Sequence, residues 1–558
     1  MTWIQHYDPL GNMWLSTAVA ALPIVLLLVA LAVLEWRAHV AAGAALVAAL
    51  VTSTLVFGMP FSAAAATALY GGAYGLLPIG WIIVNAVFLY DLTVETGQFE
   101  IVKQSVGHLS SDRRIQALLV AFSFGAFIEG AAGFGTPVAI CSALLMGLGF
   151  TPLHAAGLSL IANTAPVAFG AIGTPILTLG AVTGLDPKTL GAMAGRQLPF
   201  VALIVPAWIV VTMSGWRGLR GVWPAVVVCG GTFAAVQFLW SNFVGPELVD
   251  IVGGVVSIVA LALFCRVWQP ADSTGRQDVH ALGLRRATIV RAWLPWMFLS
   301  VAVMLWGLAP VKASLNGGAR PSMQAALAPK WNVPLLHRRV FRDYPVEPAA
   351  IDRARVEEAA YRDRRAEPAV FTLNWASATG TAIFLAALAT ILYLRIPLGV
   401  AAAVAGRTLR RMRTSLATIS LMLALGFVTR YGGTDATLGM AFTRTGVLYP
   451  FFATLLGWLG VALTGSDTSS NVLFGSLQKI TAQQLGFNPI LIVTANSTGG
   501  VMGKMIDAQS IVVATAATGQ SGQEGRILRF VFWHSVALAT IMAAIVMLQA
   551  YVFPWMVP

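Results

Sequence analysis

FGAFIEGAAGFGTPVAI, residues 124–140, decides how the rest of the chain is read. Four glycines (Gly125, Gly130, Gly133, Gly135), Pro137 and one acid, Glu129, stand between two apolar arms, where hydropathy alone draws a single membrane helix. Glycine and proline punctuate helices, so the segment interrupts itself. The arms, residues 115–128 and 138–149, are about 14 and 12 residues long and reach only ~18 to 21 Å at 1.5 Å per residue, against a ~30 Å hydrocarbon core. Neither arm crosses alone. Interrupted backbone at membrane depth is tolerated only where protein or a water-filled cavity satisfies its amides, which predicts a re-entrant hairpin lining a polar site.

Composition sets the solvent. The chain has 558 residues, 57% hydrophobic and only 10% charged, with a mean hydropathy of +0.77. Soluble domains run nearer a quarter charged, so this reads as an all-α polytopic membrane protein forming one membrane domain. The first apolar run, residues 14–34, has no Lys or Arg before it and is too long for a signal-peptide core, so it is expected to stay as the first span. The net charge of +12 lies in loops, where anionic lipid and topology explain it without nucleic acid. Cys141, Cys229 and Cys265 lie in or beside apolar runs and read as small core residues, with no disulfide framework and no metal spacing.

Taken in order, spans are expected at residues 14–34, 40–57 and 66–90, then a hairpin at 115–149 and a broken helix at 152–183. Further spans follow at 198–214, 222–240, 247–264 and 290–309, before a hydrophilic loop at 310–370. Spans at 371–394 and 414–430, a second hairpin at 447–485, a second broken helix at 489–518 and a span at 530–553 complete the chain. That predicts about twelve transmembrane helices plus two re-entrant hairpins. One set of short loops, including Arg37, Arg113, Arg276 and Arg411, carries eighteen Lys and Arg; the opposite set carries four, Lys188, Arg196, Arg430 and Arg444. The basic side is cytoplasmic by the positive-inside rule, which puts both termini outside. The 310–370 loop is basic as well, but at that length the rule loses force, and its Arg and Glu run at 353–367 reads as a solvated helix or flexible cover. Three spans, a hairpin and two crossings then occupy residues 1–214 and return inverted in residues 290–558, with 215–289 as connector. Inverted repeats with discontinuous helices are a secondary-transporter architecture.

Each repeat has two breaks: residues 129–137 and 163–175 in the first, 464–471 and 496–510 in the second. Gly133 to Asn163 and Gly465 to Asn496 are nearly equal steps, as duplication predicts. Broken-helix amides and short polar side chains suit a small hydroxy acid. The candidate substrate contacts are Gly133, Gly135, Thr136, Asn163, Thr164, Ser466, Thr468, Ser469, Asn471, Asn496, Ser497 and Thr498. Close helix packing through Gly, Ser and Thr is the competing explanation of the same residues. Ionisable groups at membrane depth are functional candidates by default. Glu129, Asp467 and Asp507 are the candidate proton-coupling acids, with Lys504 and Arg196 as charge partners. Glu129 and Asp467 have no basic neighbour in their own segments, and a carboxyl in an apolar place is most easily held as the neutral acid, which suits a proton carrier. Lys504 and Asp507 are three residues apart and are equally read as a structural ion pair.

EGAAGFGTPVAI, NTAPVAFGAIGTPI, GRQLPF (195–200), LTGSDTSSN and NSTGGVMGKMI, with the opening QHYDPLGNMWLS (5–16), resemble the bacterial L-lactate permease family over nearly the whole chain, most weakly at 310–370. The resemblance implies a symporter of the cytoplasmic membrane that takes up L-lactate with a proton, and D-lactate or glycolate as well. It calls for no cofactor and no metal, and the partners it implies are the substrate, the proton and lipid. It assigns no role to Glu129, Asp467 or Asn496; those come from the breaks. An elevator-type movement is implied only by a more distant similarity to ion transporters with paired hairpins. Another small organic anion, or sodium in place of the proton, stays open. An intramembrane aspartyl protease is the reading from another class, since Asp91 and Asp467 faintly echo its paired acids, but Asp91 falls in a loop and no Pro-Ala-Leu follows.

Overall fold

Helices end where glycine frees the backbone: Gly133, Gly135 and Gly465 take φ of 55°, 79° and 72°, the left-handed region that costs other residues most. The computed structural model describes residues 2–271, 285–347, 350–520 and 523–558, apart from positions 33, 35, 108 and 134. Arg276 of the basic loop and Phe134 of the first break therefore lie outside the described residues. The chain is a helical bundle, and among the described residues its strands are four pieces of two or three residues. Among the described residues, ten helical runs are long and apolar enough to cross a membrane, or eleven with the bent pair Pro152–Ala162 and Val167–Thr183. One of those runs contains Leu198–Phe243, a 46-residue helix with non-helical geometry at Gly215. At 1.5 Å per residue it spans ~70 Å, enough for the two crossings the sequence separates there.

At the first break the chain doubles back. Cys141 donates to the Val120 carbonyl at 3.1 Å across the turn, so Thr136–Gly147 lies against the Leu118–Phe124 stretch, which is widened to a π-helix. The leading helical run, Arg113–Ala131, has 19 residues where hydropathy marks about 14. Asp112 starts it early by accepting from the Arg114 amide, a cap that hydropathy cannot register. The second turn repeats the device: Ser466 caps Asp467–Leu485 by accepting from the Ser469 amide, and Ser470 returns to the Gly457 carbonyl at 3.2 Å.

The two broken helices differ in where they break. The first stops at Asn163, passes through Val167–Phe169 and turns left-handed at Ala171, Ile172 and Gly173 before Thr174 resumes the helix, a bend of 64°. The second stays helical over Pro489–Gly503, through Asn496, and breaks only at Lys504, with Asp507 capping Ala508–Ala517. Asn163 and Asn496 are thus not equivalent places in the backbone. Helix contact explains the continuity: a Cβ at Gly457 would lie 1.9 Å from the Asn496 carbonyl oxygen, and one at Gly503 would lie 2.3 Å from that of Trp458. Glycines here let two backbones touch, the packing use of small residues in membrane bundles.

The large loop is an ordered lobe. Strand Trp3–Ile4 runs parallel to Val340–Phe341, and Lys330–Asn332 pairs antiparallel with Val370–Thr372. Within the Arg and Glu run, Ala359–Arg365 is the solvated helix. Glu367 bridges Arg342 at 2.8 Å and Arg430 at 3.2 Å, while Arg430 also donates to the Val182 carbonyl at the end of the first broken helix.

Candidate functional site

Both turns and both broken helices reach one cavity of about 640 Å³, within the size range of small-ligand sites. Glu129 and Gly133 enter from the first turn, and Gly170, Ala171, Thr174 and Pro175 from the first broken helix. The second hairpin contributes Thr464, Gly465, Ser466, Asp467, Thr468 and Ser469, and the second broken helix Lys504 and Gln509. The remaining wall includes Arg37 and His39 and, from helix Leu398–Gly432, Thr414, Thr418 and Met422.

The two acids are placed differently. Asp467 is the first residue of its helix and accepts from Ser497 at 2.5 Å through Oδ2, while Oδ1 has no partner. Gly500 makes room for it, since a Cβ there would lie 2.5 Å from Oδ1. Glu129 is held in a slot: a Cβ at Gly170 would lie 2.5 Å from Oε1, and Oε2 has no hydrogen-bond partner. Lys504 donates to the Gly465 carbonyl at 2.6 Å and lies 3.4 Å from Asp507 Oδ2, so its charge fastens the second turn to the second broken helix. The ion-pair reading of Lys504 and Asp507 is therefore realised, and Asp507 also caps its helix through the Ser510 amide at 2.8 Å.

Of the expected contacts, Gly133, Ser466, Thr468 and Ser469 line the cavity. Asn471, Asn496 and Ser497 form the layer behind Asp467. Asn496 donates to Asn471 Oδ1 at 2.8 Å and accepts from Gln478 at 2.8 Å, and Asn471 donates to the Pro175 carbonyl at 3.2 Å. Asn163 is buried beside Glu129. Gly135 and Thr136 lie past the lining, and Thr164 turns back to the Ile161 carbonyl at 2.8 Å. Thr498 donates to Gln197 at 2.6 Å, away from the cavity. Arg196 is no charge partner of the acids: it donates to Asn242 at 2.8 Å and to the Met556 carbonyl at 2.9 Å, fastening the chain's end. Sequence reasoning passed over Thr174 and Gln509, though both lie in stretches it quoted, and over Asp250, an acid in the first turn of Val249–Val267.

The arrangement presents a small anion with helix N-termini at Thr174 and Ser466, hydroxyls from Thr and Ser, and two carboxyls in the same space. Unpaired first-turn amides and their partial positive charge attract carboxylate. A sequence profile of the family described as L-lactate permease matches residues 16–553. The chain belongs to the L-lactate permease family. The glycolate permease GlcA of Escherichia coli is 48% identical to it, with 100% of this chain and 99% of that protein covered. An L-lactate permease of Salmonella typhimurium is 48% identical and one of Bacillus subtilis 44%, each with 100% of both chains covered. As a member of the L-lactate permease family the chain is a multi-pass membrane transporter, and its permease fold places the broken segments around the cavity.

Proposed function

We propose that the chain is a proton-coupled symporter that takes up L-lactate and related 2-hydroxymonocarboxylates, glycolate and D-lactate among them, across the bacterial cytoplasmic membrane. The observation that carries this is the shared cavity of Glu129 and Asp467 at the ends of broken helices. A lactate anion beside two ionised carboxylates is repelled, whereas one beside a protonated carboxyl is received by helix N-termini and a hydroxyl-rich wall. Anion and proton thus favour each other's binding, which is the thermodynamic content of symport. Their joint movement is electroneutral, so the pH and substrate gradients drive it. Glu129 and Asp467 are the proton-carrying groups, and Ser466, Thr468, Ser469 and Thr174 face the substrate.

Residues 1–214 and 290–558 are read as inverted repeats joined by 215–289, with both termini outside. Arg37 and Thr414 are exposed residues of the cavity lining and belong to the loops read as basic, which supports a cavity that opens inward. In proteoliposomes with an imposed pH gradient, labelled L-lactate accumulates with wild type, and Glu129→Gln or Asp467→Asn loses pH-driven accumulation. Unchanged accumulation in both variants removes them as carriers, and accumulation that follows a sodium gradient in place of pH removes the proton.

A further inference from the structure

Behind Glu129, away from the cavity, sits a second carboxyl that nothing above uses. Asp250 is fully buried, at 0% exposure, and neither of its oxygens has a hydrogen-bond partner. An acid in a first helical turn ordinarily takes a backbone amide; this one takes none, and Leu248, at the cap position, is left-handed with no side-chain cap. Its surroundings are set by one close crossing. A Cβ at Gly130 would lie 2.8 Å from the Ile251 amide nitrogen and 2.9 Å from Asp250 Cβ, so the helix of Glu129 touches the helix of Asp250 at that glycine. The charged group that acts on Asp250 is Glu129 itself.

Among the described residues, no counter-charge faces Asp250 from the main elements packed against Val249–Val267. The π-helical stretch Leu118–Phe124 and the helix Gly170–Thr183 contain no titratable residue. On Leu198–Phe243, Arg217 and Arg220 are exposed, and Cys229 bonds Ser123 and Ser257. Lys504 lines the cavity together with Glu129, whereas Asp250 does not reach it. Beside Glu129 lies the buried amide of Asn163. A buried carboxylate with no cation beside it is costly by several kcal/mol, and among the described residues none faces Asp250, so this carboxyl is a place to hold a proton.

We propose that Asp250 is a proton-holding partner of Glu129, taking the coupled proton from the cavity-facing acid and returning it. The exchange is balanced: a proton leaves the Glu129 carboxyl for the Asp250 carboxylate, Glu129 becomes the carboxylate, and the pair's charge is unchanged. Asn163, whose amide lies beside Glu129, is the polar neighbour of that acid. Asp250 does not line the cavity, so it touches no substrate. This inference rests on the proton-symport reading.

The test compares wild type with Asp250→Asn, of equal size and unable to carry a proton, in proteoliposomes with labelled L-lactate. Two readouts are taken: accumulation driven by a pH gradient, with proton influx followed by an internal pH dye, and lactate–lactate counterflow at equal pH. The expected result is a loss of about tenfold or more in pH-driven accumulation and proton influx, with counterflow kept within about twofold and an unchanged melting profile. Full pH-driven accumulation in Asp250→Asn overturns the inference. Loss of both activities in a protein that melts as wild type overturns it too, since that marks a role in substrate movement. Loss of both with a lowered melting point calls in Asp250→Glu, which supports the inference by regaining proton influx and overturns it by regaining counterflow alone. Absence of proton influx in wild type fails the symport reading itself, a different result from an unaffected variant.

Discussion

Ser497 donates its hydroxyl to Asp467 Oδ2 at 2.5 Å, tying the helix Pro489–Gly503 to the first turn of the helix Asp467–Leu485. The bond fixes which carboxylate oxygen is occupied and leaves the buried Oδ1 without a hydrogen-bond partner. A hydrogen bond to a charged group is worth ~1.5 to 3 kcal/mol. Ser497→Ala is therefore expected to raise the half-saturating L-lactate concentration by about tenfold while the protein still folds. Initial uptake rates over a lactate series check this, and an unchanged value would show that Asp467 is positioned by other means.

Lys504 serves Gly465 and Asp507 together, so its loss leaves a buried acid alone. Lys504→Met should destabilise the protein by about 3 to 5 kcal/mol, the usual cost of breaking a buried pair from one side. Adding Asp507→Asn, which keeps a capping oxygen, should recover part of that. Thermal unfolding in detergent reads both, and a double variant no more stable than the single one would deny the coupling.

Gly457 and Gly147 make a controlled pair. A Cβ at Gly457 meets the Asn496 carbonyl at 1.9 Å, while one at exposed Gly147 meets nothing within 4 Å. Gly457→Ala forces two backbones apart at a cost of ~1 to 3 kcal/mol. Gly147→Ala, at the last residue of the helix Thr136–Gly147, should instead gain a smaller amount, up to ~0.5 kcal/mol. Melting temperatures moving in opposite directions are the expected outcome.

Acid should loosen the hydrophilic lobe. Burial pushes the Glu367 carboxyl up, but the Arg342 and Arg430 guanidiniums beside it more than reverse that and hold it below the usual glutamate range. A depressed folded value means the bridge stabilises the lobe above the ordinary ~4.3 and is lost as pH falls through the folded value. Hydrogen exchange across residues 330–372 should therefore speed up below about pH 4. Glu367→Gln should show fast exchange at neutral pH as well; identical profiles in the two proteins would sever the lobe's stability from this carboxyl.

The places where the chain turns were legible because glycine and serine carry their own backbone chemistry. Gly133, Gly135 and Gly465 adopt the conformation only glycine takes cheaply, and Ser466, read as a substrate contact, caps the helix that follows it. Asn496 misled for the opposite reason. Its amide is satisfied by Asn471 and Gln478 on another helix, so a residue read as the start of a break sits inside an unbroken helix. The left-handed turn at Ala171 and Ile172 carried no local signal, since neither side chain favours it; the surrounding contacts impose it. Asp250 stands at the edge of an apolar run, where a loop acid is ordinary, and only the crossing at Gly130 reveals its neighbour.

Arg430 grips the Val182 carbonyl with one arm and Glu367 with the other, and Gln5 near the start of the chain hangs from the Arg430 and Tyr431 carbonyls. The lobe is thus leashed to the tail of the very helix whose interruption shapes the cavity. An antibody fragment that clasps residues 330–372 would consequently act as a brake, slowing turnover from a perch that never meets the cargo.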